Sequence, residues 1–140
     1  MKYLLTILIM LPVMAGDVRV TLKTKKERIS TMDGRAQSYR TLVTVKHKFT
    51  ARQEGYLQIW FVRKSKGIIY PAAVDKRTFT MAQKRMTSMW VQHHVYDDEQ
   101  ERYYGIIILV YARGGSLLAE IAKPPSLLKR LQAFKADKTE

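Results

Sequence analysis

Hydrophobic and polar residues alternate with a period of two over much of this chain. Near the start, Val18, Val20 and Leu22 are separated by single polar residues. Alternation of this kind is typical of a β-strand that buries one face and exposes the other. We predict that this first strand ends before a basic cluster at residues 23–28. Because similar short segments recur as far as residue 122, the pattern predicts an all-β protein.

Glycine, aspartate and proline mark the ends of the other predicted strands. Asp33-Gly34 and Gln53-Glu54-Gly55 predict turns. The segment Tyr56 to Arg63 is largely apolar on both of its faces, so we expect it to be a central, fully covered strand. The remaining predicted strands are Thr41 to Thr50, Ile68 to Tyr70, a short segment with Phe79 and Met81, and Met89 to Tyr96.

The clearest local unit is a hairpin formed by Tyr104 to Arg113 and Ser116 to Ala122. Between them, Gly114-Gly115 suits the positive φ angles of a two-residue turn. Placing Arg113 opposite Ser116 makes one face of this hairpin apolar throughout. The pairs predicted on that face are Ala112 with Leu117, Val110 with Ala119, and Ile108 with Ile121. We expect Gly105 to mark a bulge near the start of the first strand.

About seven strands in about 110 residues predict an immunoglobulin-like antiparallel β-sandwich, which would span residues 16–123. Residues 124–140 are basic and open with two prolines, and we expect Ser126 to cap a short helix there. The apolar residues on one side of this helix are Leu127, Leu128, Leu131 and Phe134. Isolated helices of this length are marginal in water, so we predict that this amphipathic C-terminal helix docks on its own sandwich.

Residues 1–15 are predicted to be a cleavable signal peptide. Lys2 supplies a positive charge, residues 3–14 are apolar, and Ala15 is a small residue at the expected cleavage site. This apolar segment has about 12 residues, whereas a membrane-spanning helix needs about 20, so we favour export over anchoring. The exported product would have no transmembrane span. Because the chain also has no cysteine, we predict a bacterial periplasmic or extracellular protein.

The predicted exported chain is strongly basic. The full chain has 25 basic and 12 acidic residues, and cleavage removes only Lys2 from them, which leaves a formal charge of +12. Such a charge attracts polyanions, and the attraction weakens with salt. We expect an acidic protein, an acidic glycan or an anionic envelope surface as the partner, while export disfavours nucleic acid. A surface of dispersed, solubilising lysines is the alternative interpretation.

The sequence has no motif that indicates catalysis or a cofactor. It has no cysteine nucleophile and no Gly-x-Ser-x-Gly elbow, and we expect no cofactor. His93 and His94 are neighbours on a predicted strand, so they should point to opposite faces and hold no metal together. The acidic segment Asp97 to Glu101 is expected to be a solvated loop. Calcium binding, or pairing with a basic patch on a second copy, is the alternative for that loop.

A hairpin between the strand at Thr41 to Thr50 and the central strand would create a binding surface. Pairing Phe49 with Leu57 makes one face apolar and sets Lys46 opposite Trp60 on the other. The candidate binding residues on that face are Lys46, Lys48, Tyr56, Trp60 and Lys64. Aromatic rings among lysines can stack on a sugar or a base while attracting an anion. Alternatively, Trp60 packs beneath the C-terminal helix, since central strands are usually covered on both faces.

These features favour an exported, non-enzymatic binding or assembly module that uses a basic, aromatic-containing sheet face to engage an acidic partner. A small carbohydrate-active or other hydrolytic enzyme is a second hypothesis, with carboxylates from Asp75 or the loop at residues 97–101. A third is a structural subunit that assembles by β-strand addition. A cleft joining two carboxylates would favour the enzyme, and an unpaired apolar edge strand would favour the subunit.

The signal peptide can be tested by mass. We expect the product exported from a bacterial host to begin at Gly16, because signal peptidase cuts after a small residue such as Ala15. Intact-mass spectrometry of the exported fraction measures this directly. An exported product that retains residues 1–15 would contradict the prediction.

Overall fold

The computed structural model describes residues 18–49, 51–82 and 85–139, so the predicted signal peptide lies outside the described residues. The strands are β1 (Val18–Thr31), β2 (Gly34–His47), β3 (Gln53–Ser65), β4 (Ile68–Met81), β5 (Met86–Tyr96), β6 (Arg102–Ala112) and β7 (Leu117–Lys123). The helical elements are a one-turn 3-10 helix at Asp97–Glu99, a 3-10 segment at Pro125–Arg130 and helix α1 (Leu131–Thr139). Over the described ranges, no helix is long and apolar enough to cross a membrane.

The seven strands form two antiparallel sheets packed face to face. Sheet A has the strand order β1-β2-β5, and sheet B has the order β4-β3-β6-β7. The predicted antiparallel β-sandwich of about seven strands with a short C-terminal helix is confirmed. In the constant-type immunoglobulin arrangement the fourth strand pairs with the fifth, whereas β4 pairs with β3 here. The immunoglobulin-like assignment therefore stays a prediction.

Alternate residues of both sheets fill the core between them, as expected for packed sheets with one face inward. The core residues with no exposed surface include Val43 and Val45 of sheet A and Leu57, Ile59, Ile108 and Val110 of sheet B. At one end of the core, the rings of Tyr39 and Tyr103 stack across the sheets with centroids 4.0 Å apart. The period-two pattern of the sequence thus corresponds to the inward face of each strand.

Several strands are longer than predicted. The basic cluster at residues 23–28 lies within β1, because the pairing of β1 with β2 continues without a break to Thr31. The segments at residues 68–70 and 79–81 belong to the single strand β4. Pro71 does not end this strand, since β4 is an edge strand, where a residue without a backbone N–H is tolerated. The turn predicted at Asp33-Gly34 is confirmed, with φ of 124° at Gly34.

The hairpin of β6 and β7 follows the predicted register except next to its turn. The pairs Val110 with Ala119 and Ile108 with Ile121 are confirmed. The pairing of Ala112 with Leu117 is wrong, because the register shifts after Val110 and Leu117 lies opposite Tyr111. This irregularity leaves Leu117 exposed and brings Leu118 into the core at 4% exposure. Burial of one more leucine side chain favours the shifted register.

The bulge predicted at Gly105 is confirmed by a register shift between β3 and β6 beside this residue. A Cβ atom at Gly105 would lie 2.2 Å from the carbonyl oxygen of Lys123 and 2.8 Å from a side-chain carbon of Leu127. Glycine is therefore required for the close approach of β6 to the start of the C-terminal segment.

The C-terminal segment covers the outer face of sheet B. The residues buried in this second cluster are Trp60, Val62, Ile107, Leu109, Ala122, Leu127, Leu131 and Phe134. Trp60 is only 2% exposed, which confirms the alternative that it packs beneath the C-terminal helix. The predicted cap at Ser126 is wrong, because the 3-10 segment begins one residue earlier, at Pro125. Proline favours this position because its fixed φ suits a helix start.

Two of the four edge strands, β1 and β4, carry charges that disfavour strand addition, whereas edge strand β5 contains no Asp, Glu, Lys or Arg. Edge strand β1 contains the basic cluster at residues 23–28, and edge strand β4 exposes Asp75, Lys76 and Arg77. Charged residues at a sheet edge oppose pairing with another chain. These two edges do not have the apolar character that the assembly-subunit hypothesis requires.

The covered position of Trp60 has a direct consequence for stability. We expect Trp60→Ala to lower the free energy of unfolding by about 3–5 kcal/mol, the usual cost of removing a buried aromatic side chain. Trp90→Ala is the matched control, because Trp90 is 39% exposed and should cost about 1 kcal/mol. Urea denaturation followed by circular dichroism measures both values. Equal losses in the two variants would contradict the prediction.

Candidate functional site

The five residues of the predicted binding face do not share one surface. Lys46 lies on β2 of sheet A, Lys48 follows the end of β2, and Tyr56, Trp60 and Lys64 lie on β3 of sheet B. The predicted pairing of Phe49 with Leu57 is wrong, because β2 pairs with β1 and β5 while β3 pairs with β4 and β6. The apolar faces of β2 and β3 meet across the core rather than side by side. The connection between these strands therefore crosses from one sheet to the other.

The predicted site residues of sheet B have separate environments. Trp60 is covered by the C-terminal segment. Tyr56 stacks on Tyr111 with ring centroids 5.0 Å apart, and Lys76 Nζ lies 4.3 Å from the Tyr56 centroid. Lys64 is exposed near the end of β3. No single ligand face unites these residues, and each binding role stays a prediction.

The outer face of sheet A combines basic and aromatic side chains. The residues on it lie at odd positions of β1 and even positions of β2 and β5, since Val20, Val43 and Val91 face the core. The neighbours across this face are Arg19 and Lys46, Lys23 and Leu42, Lys25 and Arg40, and Leu42 and Trp90. We call the set Arg19, Lys23, Lys25, Arg40, Lys46 and Trp90 the Trp90 face.

Trp90 lies midway along β5, an edge strand of sheet A, with 39% of its surface exposed. The guanidinium carbon of Arg40 is 4.8 Å from the Trp90 ring centroid, and Lys25 Nζ is 6.0 Å from it. A cation over an indole ring is attracted by the ring's negative face. A guanidinium stacked in this way keeps its N–H donors in its own plane, where a carboxylate or sulfate can accept from them. This part of the face therefore offers apolar ring surface beside donors for an acidic group.

The charge of the Trp90 face is almost entirely positive. Its five basic residues form none of the salt bridges found among the described residues. Glu27 is the acidic residue of β1 on the same side, and it lies opposite Ser38, away from Trp90. Neighbouring cations without counterions create a positive potential that attracts anions.

The sequence contained a signal for Trp90 that our prediction did not use. In β5, Trp90 alternates with the buried Val91 and shares a face with the exposed Gln92. That alternation indicates the polar face of a half-buried strand. Trp60, by contrast, is flanked by Ile59 and Phe61, within a strand that is apolar on both faces.

Arg63 connects the two sheets from the inner side. It is 9% exposed, and its Nε atom donates to His93 Nε2 at 2.9 Å. Its Nη2 atom donates to the carbonyl oxygen of His94 at 2.9 Å. Its Nη1 atom donates to Glu99 and, at 2.9 Å, to Glu101. The acidic segment predicted as a solvated loop is therefore tied to the core by its two glutamates.

These contacts shift the pKa values of the cluster. Burial, followed by the charge of Arg63, lowers the pKa of His93 to about 4. The backbone N–H of Tyr96, followed by Arg63, lowers the pKa of Glu99. The Tyr70 hydroxyl and then Arg63 lower the pKa of Glu101 in the same way. His93 is consequently neutral at pH 7, which leaves its Nε2 atom free to accept from Arg63.

The two neighbouring histidines point to opposite faces of β5, as predicted. His93 stacks on Phe61 in the core with ring centroids 4.7 Å apart, while His94 contacts Tyr96 edge to face. In the part of the chain that the structure describes, no group of three or more potential ligands lies close enough together to hold a metal ion.

Of the carboxylates named for a hydrolytic site, Asp75 lies apart from the acidic loop. Asp75 lies 3.7 Å from Arg77 on β4, and Glu101 accepts from Tyr70. Tyr70 and Asp75 are five residues apart on this strand, a separation of about 16 Å. The carboxyl groups of glycosidases lie about 5 to 9.5 Å apart. Asp75 and Glu101 do not have that spacing, whereas Glu99 and Glu101 lie close together because both accept from the Nη1 atom of Arg63.

No family model and no curated protein match the sequence. Among solved structures, one similar fold is that of a proposed beta-galactosidase from Bacteroides fragilis, with 9% identity and a TM-score of 0.53. The match covers 72% of this chain but only 15% of that protein's length. A second is a Northeast Structural Genomics Consortium target, SoR45, with 10% identity and a TM-score of 0.44 over 78% of this chain and 87% of that one. At these identities the first similarity shows the fold alone.

The Arg63 cluster predicts that acid destabilises the protein. Between pH 6.5, the ordinary pKa of histidine, and about 4, the unfolded chain binds a proton at His93 that the folded chain excludes. The contribution of His93 to stability is therefore fully present above pH 6.5. The free energy of unfolding should fall by about 1–2 kcal/mol as the pH drops to 4, after allowance for solvent screening. Below this range, protonation of Glu99 and Glu101 should lower it further.

Urea denaturation at a series of pH values measures this loss. In His93→Gln the loss between pH 6.5 and 4 should be smaller, because glutamine can accept from Arg63 and does not titrate. His94→Gln, the matched control on the outer side of β5, should keep the loss. An unchanged pH profile in His93→Gln would exclude His93 as its origin.

Proposed function

We propose that this protein is an exported, non-enzymatic binding module that holds an acidic glycan on the Trp90 face. The observation that carries the proposal is the half-exposed Trp90 ring with Arg40 4.8 Å from its centroid. A pyranose ring presents an apolar face that can pack on the uncovered part of the indole. A carboxylate or sulfate on the same sugar would then accept hydrogen bonds from Arg40.

The arrangement of charges supports a linear acidic polymer. Arg19 and Lys46 lie at one end of the face, while Lys25 and Arg40 lie near Trp90. Arg19 and Lys25 are six residues apart along β1, a distance of about 20 Å. A polymer with an acidic group on each repeat can contact several of these cations at once, whereas a single acidic sugar reaches only those beside Trp90.

The composition of the face favours a glycan over an acidic protein. A protein partner would require a larger apolar centre with fewer charges, and here the apolar neighbours of Trp90 are its register partner Leu42 and, four residues away on β5, Met86. An anionic membrane surface attracts the same cations, and an exposed tryptophan can also enter its headgroup layer. Anionic vesicles are therefore compared with the glycan in the test below.

Polygalacturonate, an acidic glycan, is a suitable probe. We expect Trp90→Ala to weaken its binding about tenfold, or about 1.4 kcal/mol, by removing the ring contact. Lys25→Gln should weaken binding less and make it less sensitive to salt, because it removes one charge contact. Isothermal titration calorimetry at low and high salt measures both effects.

Lys76→Gln is the matched control, since Lys76 also lies over an aromatic ring, that of Tyr56, but on sheet B. It should bind polygalacturonate like the parent protein, and neutral dextran should not bind at all. Equal binding by the parent and Trp90→Ala would refute the proposal, as would preference for an acidic protein or for anionic vesicles over the glycan.

A further inference from the structure

A second cluster of cations lies at the end of the sandwich where β3 turns into β4. Lys64, Lys66, Gly67, Gln100 and Arg102 line a cavity of about 310 Å³ there. Three of these five residues are basic and none is acidic. The cavity is formed by the turn between β3 and β4 together with the loop that precedes β6. It is separate from the Trp90 face, which lies on the outer side of sheet A.

Two of the cations are placed directly against each other. Lys64 of β3 is the register partner of Arg102 of β6. Residues paired in this way have Cβ atoms about 4.5–5.5 Å apart, and like charges directly opposite destabilise a sheet. Lys66 brings a third positive charge into the turn beside them. The fold therefore holds together three cations that repel one another.

The nearby carboxylates form no salt bridge with these cations. Glu99 and Glu101 accept hydrogen bonds from Arg63 on the inner side of β3, and Asp97 pairs with Arg28 at 2.6 Å. Within the described residues, no acidic side chain forms a salt bridge with a cation of this cavity. The acidic loop thus lies next to the cavity without direct ion pairing to its cations.

The backbone at the cavity adds a second, independent observation. In the described ranges, Lys66 and Gln100 are the residues other than glycine with positive φ, at 52° and 55°, and both line this cavity. Such conformations cost free energy for residues with a Cβ and tend to occur at sites that clamp a ligand. A turn of this kind favours asparagine followed by glycine. Here Lys66 occupies the position that favours asparagine. A charged side chain therefore lies at the cavity although its backbone conformation costs free energy.

We propose that this cavity binds a phosphate group. A doubly charged oxyanion would relieve the repulsion between Lys64 and Arg102 and accept hydrogen bonds from both. Lys66 and the Gln100 side chain would donate from the opposite wall. The phosphate belongs either to a small soluble molecule or to a lipid headgroup. Because the apolar Ile68 follows the turn and is 66% exposed, the lipid source is tested separately.

Lys66→Asn separates binding from folding. Asparagine tolerates a positive φ better than lysine, so this variant should unfold at the same or a higher temperature. It should nevertheless bind inorganic phosphate about tenfold more weakly, because it loses one charge-assisted contact. Arg102→Gln should show a similar loss of affinity. Titration of the ¹⁵N-labelled protein with sodium phosphate, followed by the amide shifts of Lys66, Gly67 and Gln100, measures the affinity.

Lys48→Asn is the matched control, because it removes an exposed lysine just after the end of β2, at the end of the sandwich away from the cavity. Trp90→Ala is a second control that separates this cavity from the proposed glycan site, and both variants should bind phosphate normally. Flotation with phosphatidic acid vesicles, compared with phosphatidylcholine vesicles, tests the lipid source. If Lys66→Asn loses binding of inorganic phosphate but not of vesicles, the ligand is a small soluble molecule. If it also loses binding of phosphatidic acid vesicles, the ligand is a lipid headgroup. If Lys66→Asn and Lys48→Asn behave alike with both probes, the proposal is wrong.

Discussion

Strand β3 is buried on both faces, and the arrangement of the other elements follows from this constraint. Sheet A covers its inward side chains Leu57 and Ile59, while the C-terminal segment covers Trp60 and Val62. A strand with two apolar faces requires a layer on each side. Because the C-terminal segment is used to cover sheet B, the outer face of sheet A keeps its charged residues and Trp90 in contact with solvent.

Arg63 adds a polar contact to this apolar arrangement. Its guanidinium reaches from β3 to the backbone of β5 and to both glutamates before β6. A buried charge is tolerated only when it is paired and hydrogen-bonded, and here His93 supplies a further acceptor because its pKa is low. The cluster orients the loop that contains Gln100, so the phosphate cavity depends on the same arginine without including it.

The distribution of charge explains why two separate basic surfaces remain. Several of the few acidic residues are engaged within the molecule, as Glu99 and Glu101 are with Arg63. The cations of the Trp90 face and of the phosphate cavity have no such partners among the described residues. Pairing acidic groups internally concentrates the unneutralised positive charge where anionic ligands can reach it.

Local signals in the sequence determined most strands, the turn at Asp33-Gly34 and the inner faces, because alternation and turn chemistry depend on near neighbours. Apart from the hairpin of β6 and β7, the structure alone decided which strands share a sheet, since pairing of distant strands depends on where the chain crosses the core. For the same reason only the structure decided between the two environments predicted for Trp60 and placed Trp90 among cations. The partners of Arg63 lie 30 or more residues away along the chain, beyond the reach of any local pattern.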